Sequence, residues 1–489
     1  MISLFERAQL YGDRRAIIAA EGTFSYRQLL EVSAGVAGRL LAGAADLREA
    51  RVAFLVPSGW HYVTTQWGVW RAGGIAVPLC TQHPAPELEY ALTDSQASIV
   101  VAHPQFEDRL RPLAQKLGLR FLRTDDLGVR RLDAAFQFDP GQRQSGVKPP
   151  HSKLPELSPK RRAMMVYTSG TTSKPKAVVT THANLEAQIS SLVTAWEWTK
   201  NDHILHVLPL HHVHGIVNVL LCALSAGATC EMLPEFDAEK VWERLVAPEL
   251  TLFMAVPTVY SRLAAKPRAG DYRHIRLMVC GSAALPVSVL ERWRELTGHT
   301  LLERYGMTET GMILSNPLHG ERRPGYVGTE LPGIEVKLVG DPAEIWVRGL
   351  GVFREYWNKP EATAAAFRDG WFLTGDVAVL EKGMYRMLGR SSIDIIKTGG
   401  YKVSALEIEE VLREHPAIKE CAVVGVPDPE WGERVCVAIV GKLTLEELRE
   451  WAKQRLATYK VPSRLAVMDS LPRNTMGKVM KPELVKQLL

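Results

Sequence analysis

Cysteine is scarce. Six occur in 489 residues (Cys80, Cys222, Cys230, Cys280, Cys421 and Cys436), and no two form a CxxC pair. Most sit in apolar runs, as buried free thiols do, which argues against a disulfide framework and for a reducing compartment. Long apolar runs are absent as well. The longest stretch without an acidic, basic or histidine residue, Gly215 to Cys230, falls short of the about 20 residues a spanning helix needs. No membrane span is expected, and that stretch reads as a buried helix followed by a strand. Charge of one sign is not in excess: a net +5 gives no argument for nucleic acid but would not repel an anionic ligand. The N-terminal MISLFERAQLYGDRR has charges where a signal peptide needs an apolar core, and it is not a long Ser/Arg-rich transit peptide. The cytoplasm is the expected compartment; the alternative is the mitochondrial matrix, for a chain shown without its leader. No internal repeat or heptad run is present.

What is there is an alternation of strands and helices. At about 100–200 residues per domain, this length implies two to four units. Tyr26 to Leu41 has helical spacing, Arg51 to Pro57 reads as a buried strand, Trp60 to Trp70 as a helix and Gly74 to Pro78 as a strand. Such alternation argues for a parallel sheet covered on both faces. Asp139 to Lys160, rich in Pro, Gly, Ser and basic residues, reads as a surface linker. Beyond it, Ile204–Leu208, Leu252–Val256 and Ile275–Val279 are short apolar runs, each followed by a Pro- or Gly-containing turn. Ligands of open α/β sheets bind beyond such strand ends. From Gly389-Arg390 the pattern shifts to a compact α+β unit. It has a strand at Ile393–Ile396, a Gly-Gly loop at Lys397–Val403 and helices opened by Ser404/Glu407 and Thr444/Glu447 capping boxes. Strands follow at Cys421–Val426, Val435–Val440 and near Arg464–Met468.

Chemistry concentrates in a few stretches. Tyr167 to Lys176 reads YTSGTTSKPK between two apolar runs, a strand–loop–strand pattern. Hydroxyls, loop N–H groups and two Lys converge there as in a polyphosphate cradle. The Gly-Lys-Ser/Thr ending of the common P-loop is missing, and taken alone the stretch also fits an ordinary polar hairpin. Glu303-Arg304-Tyr305-Gly306-Met307-Thr308-Glu309 could be a commonplace turn. Asp376, after Trp371-Phe-Leu-Thr-Gly, could be a turn cap or a ribose acceptor. Lys478, in Pro472-Arg-Asn-Thr-Met-Gly-Lys478, could be a solvated charge. His211-His212-Val213-His214 invites a zinc reading, but no acidic or cysteine partner has metal spacing.

Together, and in this order, these stretches resemble the motifs of the adenylate-forming superfamily, which includes acyl-CoA synthetases, peptide-synthetase adenylation domains and luciferases. The resemblance runs through most of the chain. It implies an α/β fold: a large N-terminal domain (1–389) of layered mixed sheets with flanking helices, and a small mobile α+β C-terminal domain (390–489). It implies ATP, Mg2+ and CoA as cofactors or co-substrates, and small-molecule partners to a monomer or weak homo-oligomer. Thr168, Ser169, Gly170, Thr171, Thr172, Ser173, Lys174 and Lys176 would hold the triphosphate. Gly281-Ser282-Ala283 would line the nucleotide, together with Glu303 to Thr308. Within that run Tyr305 would stack on adenine, Thr308 would contact the α-phosphate, and Glu309 with Thr168 would hold Mg2+. Asp376 with Arg390 would hold the ribose, and Lys478 would neutralise charge at the reacting centre. A hinge would fall at about 390–392, where Ser392 replaces the charged residue of many relatives. Gly399-Gly400-Tyr401-Lys402 would line the path of CoA.

For the acid, LPLHHVHG, AVPTVYSRL, CGSAALP, ERYGMTETGM and DIIKTGGYKVSALEIE look closer to malonyl-CoA synthetases than to fatty-acid or aromatic-acid members. Malonate, or methylmalonate, is the substrate this implies. Arg262, with His212 and Ser282, is the candidate for its distal carboxylate, and Arg322 and Arg323 are further candidates. A ligase for another short acid, or a non-catalytic nucleotide-binding homologue, is the alternative.

Overall fold

The computed structural model describes residues 3–128, 154–168, 175–474 and 477–488. Among these the strands form four sheets. The first, of seven strands, has Ile75–Pro78 at its centre, with Arg51–Leu55 and then Ile99–Ala102 beside it, all parallel. The helices Trp60–Arg71 and Ala85–Asp94 are the crossovers, so the alternation read from the sequence gives the parallel sheet it implied. The sheet changes direction at its other side, where Arg162–Thr168 and Lys176–Thr181 pair antiparallel and the short Glu355–Tyr356 strand closes the edge.

The second sheet, of nine strands, carries His203–His206, Leu252–Ala255, Leu277–Cys280 and Leu302–Met307 side by side and parallel. One buried cluster runs from Val52 and Phe54 of the first sheet through Trp67 and Trp70 to Ile204, Leu252 and Val279 of the second. At roughly 1.5–3 kcal/mol per large buried side chain, this shared core locks the two sheets together. The stretch expected as a buried helix and then a strand is that, with one difference. It opens as a π-helix, His214–Leu221, before Cys222–Ala226 and the strand Thr229–Met232. All six cysteines are buried and free.

A third sheet holds Glu344–Gly349, Trp371–Glu381 and Met384–Arg390. Gly389 and Arg390 end its last strand. The turn 391–394 follows, and the fourth sheet begins at Ile395, two residues later than the expected strand. The expected Gly-Gly loop is a hairpin: Ile395–Thr398 pairs with Tyr401–Ser404 around Gly399 and Gly400. Both glycines have positive φ (53° and 82°), which the tight turn between paired strands requires. Thr444 and Glu447 form the full capping box. Ser404 caps the backbone N–H of Glu407, but the Glu407 carboxylate turns instead to Lys460 at 2.6 Å. Of the expected linker, residues 139–153 lie outside the described residues. Among the described residues no helix is long and apolar enough to cross a membrane.

Candidate active site

The strand pair at Arg162–Thr168 and Lys176–Thr181 brings Thr168 opposite Lys176. Ser169, Gly170, Thr171, Thr172, Ser173 and Lys174 lie outside the described residues. Lys176 Nζ stands 5.1 Å from the centre of the Tyr356 ring, and the Tyr356 hydroxyl donates to Glu309 Oε1 at 2.9 Å. Tyr356 thus links the Lys176 strand to the Glu309 carboxylate. Glu309 is buried, and burial raises its pKa from the ordinary carboxylate range. Tyr356 was not singled out from the sequence; a lone Tyr after Glu355 carries no motif, and it reaches Glu309 only because its strand closes the first sheet.

Beside this, the nucleotide motif occupies the end of Leu302–Met307 and the turn after it. A bulge between Tyr305 and Gly306 breaks the ladder there, a feature that re-aims side chains next to active sites. The Tyr305 hydroxyl donates to Asp376 Oδ2 at 2.6 Å, and Arg390 Nε donates to Asp376 Oδ1 at 2.8 Å. Asp376 and Arg390 are also direct partners across two antiparallel strands. The three motif residues named for adenine and ribose are therefore joined by hydrogen bonds. Gly306 and Met307 complete the strand, and Thr308 follows it into the turn.

On the far side of the same strand end, Arg304 is 2% exposed. Its Nη2 donates to Ser282 Oγ at 3.2 Å, while its Nε and Nη1 have no partner among the described residues. Burial pushes its pKa down to about 10. Gly281 makes this approach possible: a Cβ there would lie 2.8 Å from Arg304 Cζ. Ser282 has a φ of 71°, uncommon for a residue with a side chain, and its hydroxyl also meets His214 Nδ1 at 3.2 Å. Ala283 is exposed in the same turn. His214 is held well below its ordinary pKa, first by burial and then by the Arg304 charge. Burial likewise lowers His212 to about 4. Both imidazoles are neutral near pH 7, so Arg304 supplies a cation here that they do not. Glu303 accepts the Leu285 N–H at 3.0 Å, its other oxygen is unpartnered, and burial raises it to about 8.

The other candidate arginines separate clearly. Arg262 lies on the helix Pro257–Ala265, exposed and with no partner among the described residues. Arg322 gives its guanidinium to the carbonyls of Pro317, Thr300 and Leu318. Arg323 pairs with Glu321. Both are spent on local structure.

Contacts among the described residues set the fourth sheet's unit against the rest. Glu410 accepts the Val287 N–H at 3.1 Å. Lys402 Nζ pairs with Asp341 at 3.2 Å. Gly477 faces Thr258, where an added Cβ would meet Oγ1 at 3.6 Å. Lys478 is exposed beside Gly477, its N–H held by Asn474 Oδ1 at 2.9 Å. Its loop is therefore presented at the first turn of the helix that carries Arg262. Tyr401 is 54% exposed and stacks on Tyr459, with ring centres 4.1 Å apart. Among the described residues no group of three or more His, Cys, Asp or Glu is arranged to hold a metal ion.

A two-part molecule that joins an aromatic hydroxyl, a carboxylate and a guanidinium on its larger part and presents a lysine loop from its smaller part has the form of an adenylate-forming enzyme. The chain belongs to the AMP-binding enzyme family: that family's model matches residues 4–357, and the AMP-binding enzyme C-terminal domain matches residues 407–478. It is 48% identical to the mouse malonate–CoA ligase ACSF3, mitochondrial, covering 100% of this chain and 91% of that protein. It is 40% identical to the malonate–CoA ligase of Arabidopsis thaliana, covering 99% and 88%. Among solved structures, ATP-bound MatB from Rhodopseudomonas palustris superposes with a TM-score of 0.89 at 33% identity, covering 100% of this chain and 99% of that one.

Proposed function

We propose that the protein is an AMP-forming malonate–CoA ligase that also accepts methylmalonate. The observation that carries the choice of acid is Arg304: a buried guanidinium with two unpaired nitrogens beside the Ser282 hydroxyl. A buried cation without a counter-ion is costly, and the second carboxylate of a dicarboxylic acid would meet that need, as a monocarboxylate would not. Exposed Arg262 would serve the same group from the open side, and the relatives named malonate–CoA ligases support the reading.

One carboxylate oxygen of the acid attacks the α-phosphorus of ATP, the bond to the β-phosphate oxygen breaks, and pyrophosphate leaves. The CoA thiol then loses its proton and attacks the acyl carbon, and AMP leaves. Thr168 to Lys176 hold the triphosphate, Tyr305 stacks on adenine, and Asp376 with Arg390 takes the ribose hydroxyls. Thr308 meets the α-phosphate, and Lys478 offsets the negative charge that builds between the reacting carboxylate and that phosphate. The Glu309 carboxylate, buried and with no cation paired to it among the described residues, would suit a hard Mg2+ ion. When bound, that ion would neutralise phosphate charge; Thr168 is the other candidate ligand. The hinge between units 1–389 and 390–489 falls at about 390–392, and the Gly399 to Lys402 hairpin comes to line the CoA path after rotation. The mitochondrial names of several relatives favour the matrix over the cytoplasm.

Replacing Arg304 by Met tests the acid site. Loss of one partner of a buried charge pair costs roughly 2–5 kcal/mol, so kcat/KM for malonate should fall by ~30-fold or more while propionate is spared. Equal losses on both acids would place the distal carboxylate elsewhere.

A further inference from the structure

Lys481 lies three positions beyond Lys478 and is 8% exposed, an unusual place for a lysine. It opens the helix Lys481–Leu488, which packs against the strand Ile418–Asp428. Its ammonium meets Asp394 Oδ1 at 2.6 Å and Glu409 Oε1 at 2.7 Å. Each partner is fixed on its other side. Glu409 also accepts the Val423 N–H at 2.9 Å and pairs with Arg413 at 2.9 Å. Asp394 uses its second oxygen to accept the Arg390 N–H at 2.9 Å, and its own N–H donates to the Arg390 carbonyl at 2.7 Å. Asp394 therefore closes the 390–394 turn on itself, and Lys481 holds the residue that closes it. Arg390 in turn grips Asp376, whose other oxygen takes the Tyr305 hydroxyl. Polar contacts thus run unbroken from the helix behind the Lys478 loop, through the turn between the two units, to the nucleotide motif.

We propose that Lys481 is a positioning residue: it ties the Lys478 loop to the Arg390–Asp394 turn, so that the orientation of the small unit sets the place of Lys478. This rests on reading Lys478 as the group that serves adenylate formation. The physical reason to expect an effect is steepness, since a misplacement of about 1 Å at a reacting centre costs ~10²-fold. Removing one partner of a buried pair also leaves the others uncompensated, so a fold defect has to be told apart from a positioning defect.

The test uses the full chain and the variants Lys481→Met, Lys481→Arg, Asp394→Asn and Lys478→Ala, with two readouts. The first separates the half-reactions: pyrophosphate release with ATP, Mg2+ and malonate, against acyl-CoA formation from supplied malonyl-adenylate. Lys481→Met and Asp394→Asn should lose ~10²-fold in the first and keep the second, with Lys481→Arg intermediate. Adding Lys481→Met to Lys478→Ala should cost nothing further, because the tie acts through Lys478. The second readout is hydrogen exchange of the peptide spanning 390–394, expected to be about tenfold faster once the tie is cut. Asp394→Asn keeps Lys481 paired with Glu409, so it decides the matter if Lys481→Met does not fold. Equal loss in both half-reactions, no loss in either, or unchanged exchange in Asp394→Asn would overturn the proposal. If Lys478→Ala retains full pyrophosphate release, the reading of Lys478 fails, while hydrogen exchange still reports on the tie.

Discussion

The roles of single residues follow from how each charge is paired. The Lys478 side chain is exposed, so its replacement should cost no stability. Lys478→Ala should slow adenylate formation by ~10²–10³-fold with ATP affinity retained, as measured by single-turnover pyrophosphate release and nucleotide binding. Glu303 behaves differently. Its folded-state pKa of about 8 lies above the ordinary 4.5, so the folded chain holds a proton that the unfolded chain releases. Stability contributed by that proton is present below the unfolded value and lost as pH rises toward the folded one. Thermal midpoints between about pH 5 and about pH 9 should therefore fall less steeply in Glu303→Gln than in the parent. At this scale the sequence was legible where a motif carried the residue: Tyr305, Asp376 and Arg390, each named within its own motif, are joined by hydrogen bonds. It was silent on Tyr356, whose contact with Glu309 spans two sheets, and on the hydrogen bond that joins Arg304 of one motif to Ser282 of another.

Elements explain which of these positions are rigid. Glu355–Tyr356 is a two-residue strand, yet it brings Tyr356 to Glu309 by closing the first sheet. Tyr356→Phe frees the Glu309 carboxylate, and since partners of a metal ligand tune affinity by 10–100-fold, the Mg2+ concentration needed for half-maximal rate should rise ~10-fold. An unchanged Mg2+ titration would detach Glu309 from the metal. The Thr444 capping box is the contrasting case, a structural device far from the chemistry: Thr444→Ala should cost ~1 kcal/mol in denaturant unfolding and leave kcat unchanged. Arg51–Leu55 and Ile75–Pro78 were readable because buried strands of a parallel sheet are continuous apolar runs, whereas the half-exposed Arg120–Arg123 offers no such run. The small unit was harder. Lys397, Tyr401 and Lys402 face solvent on the hairpin, so its alternation is masked and Gly399-Gly400 alone suggested a loop. The π-helix at His214 was beyond reach, since every residue in it is buried and periodicity has nothing to contrast.

The whole molecule sets the buried Arg304 and Ser282 at the strand ends of the large part and presents a lysine loop from the small one. The contacts of Glu410, Lys402 and Gly477 hold the small unit, with its Lys478 loop, at the first turn of Pro257–Ala265. The two-part organisation was legible because the pattern of elements shifts near residue 390; the contacts between the parts were not, since they join residues far apart in the chain. The account's central claim is that a ligase of this form has an acid site built for two carboxylates. The most direct measurement is CoA-dependent AMP formation with ATP and Mg2+ across malonate, methylmalonate, succinate, acetate, propionate and octanoate, with acyl-CoA identified by mass. The account predicts a sharp maximum at malonate, methylmalonate next, and little turnover of the monocarboxylates. A maximum at propionate or octanoate, or no acyl-CoA from any acid, would contradict it.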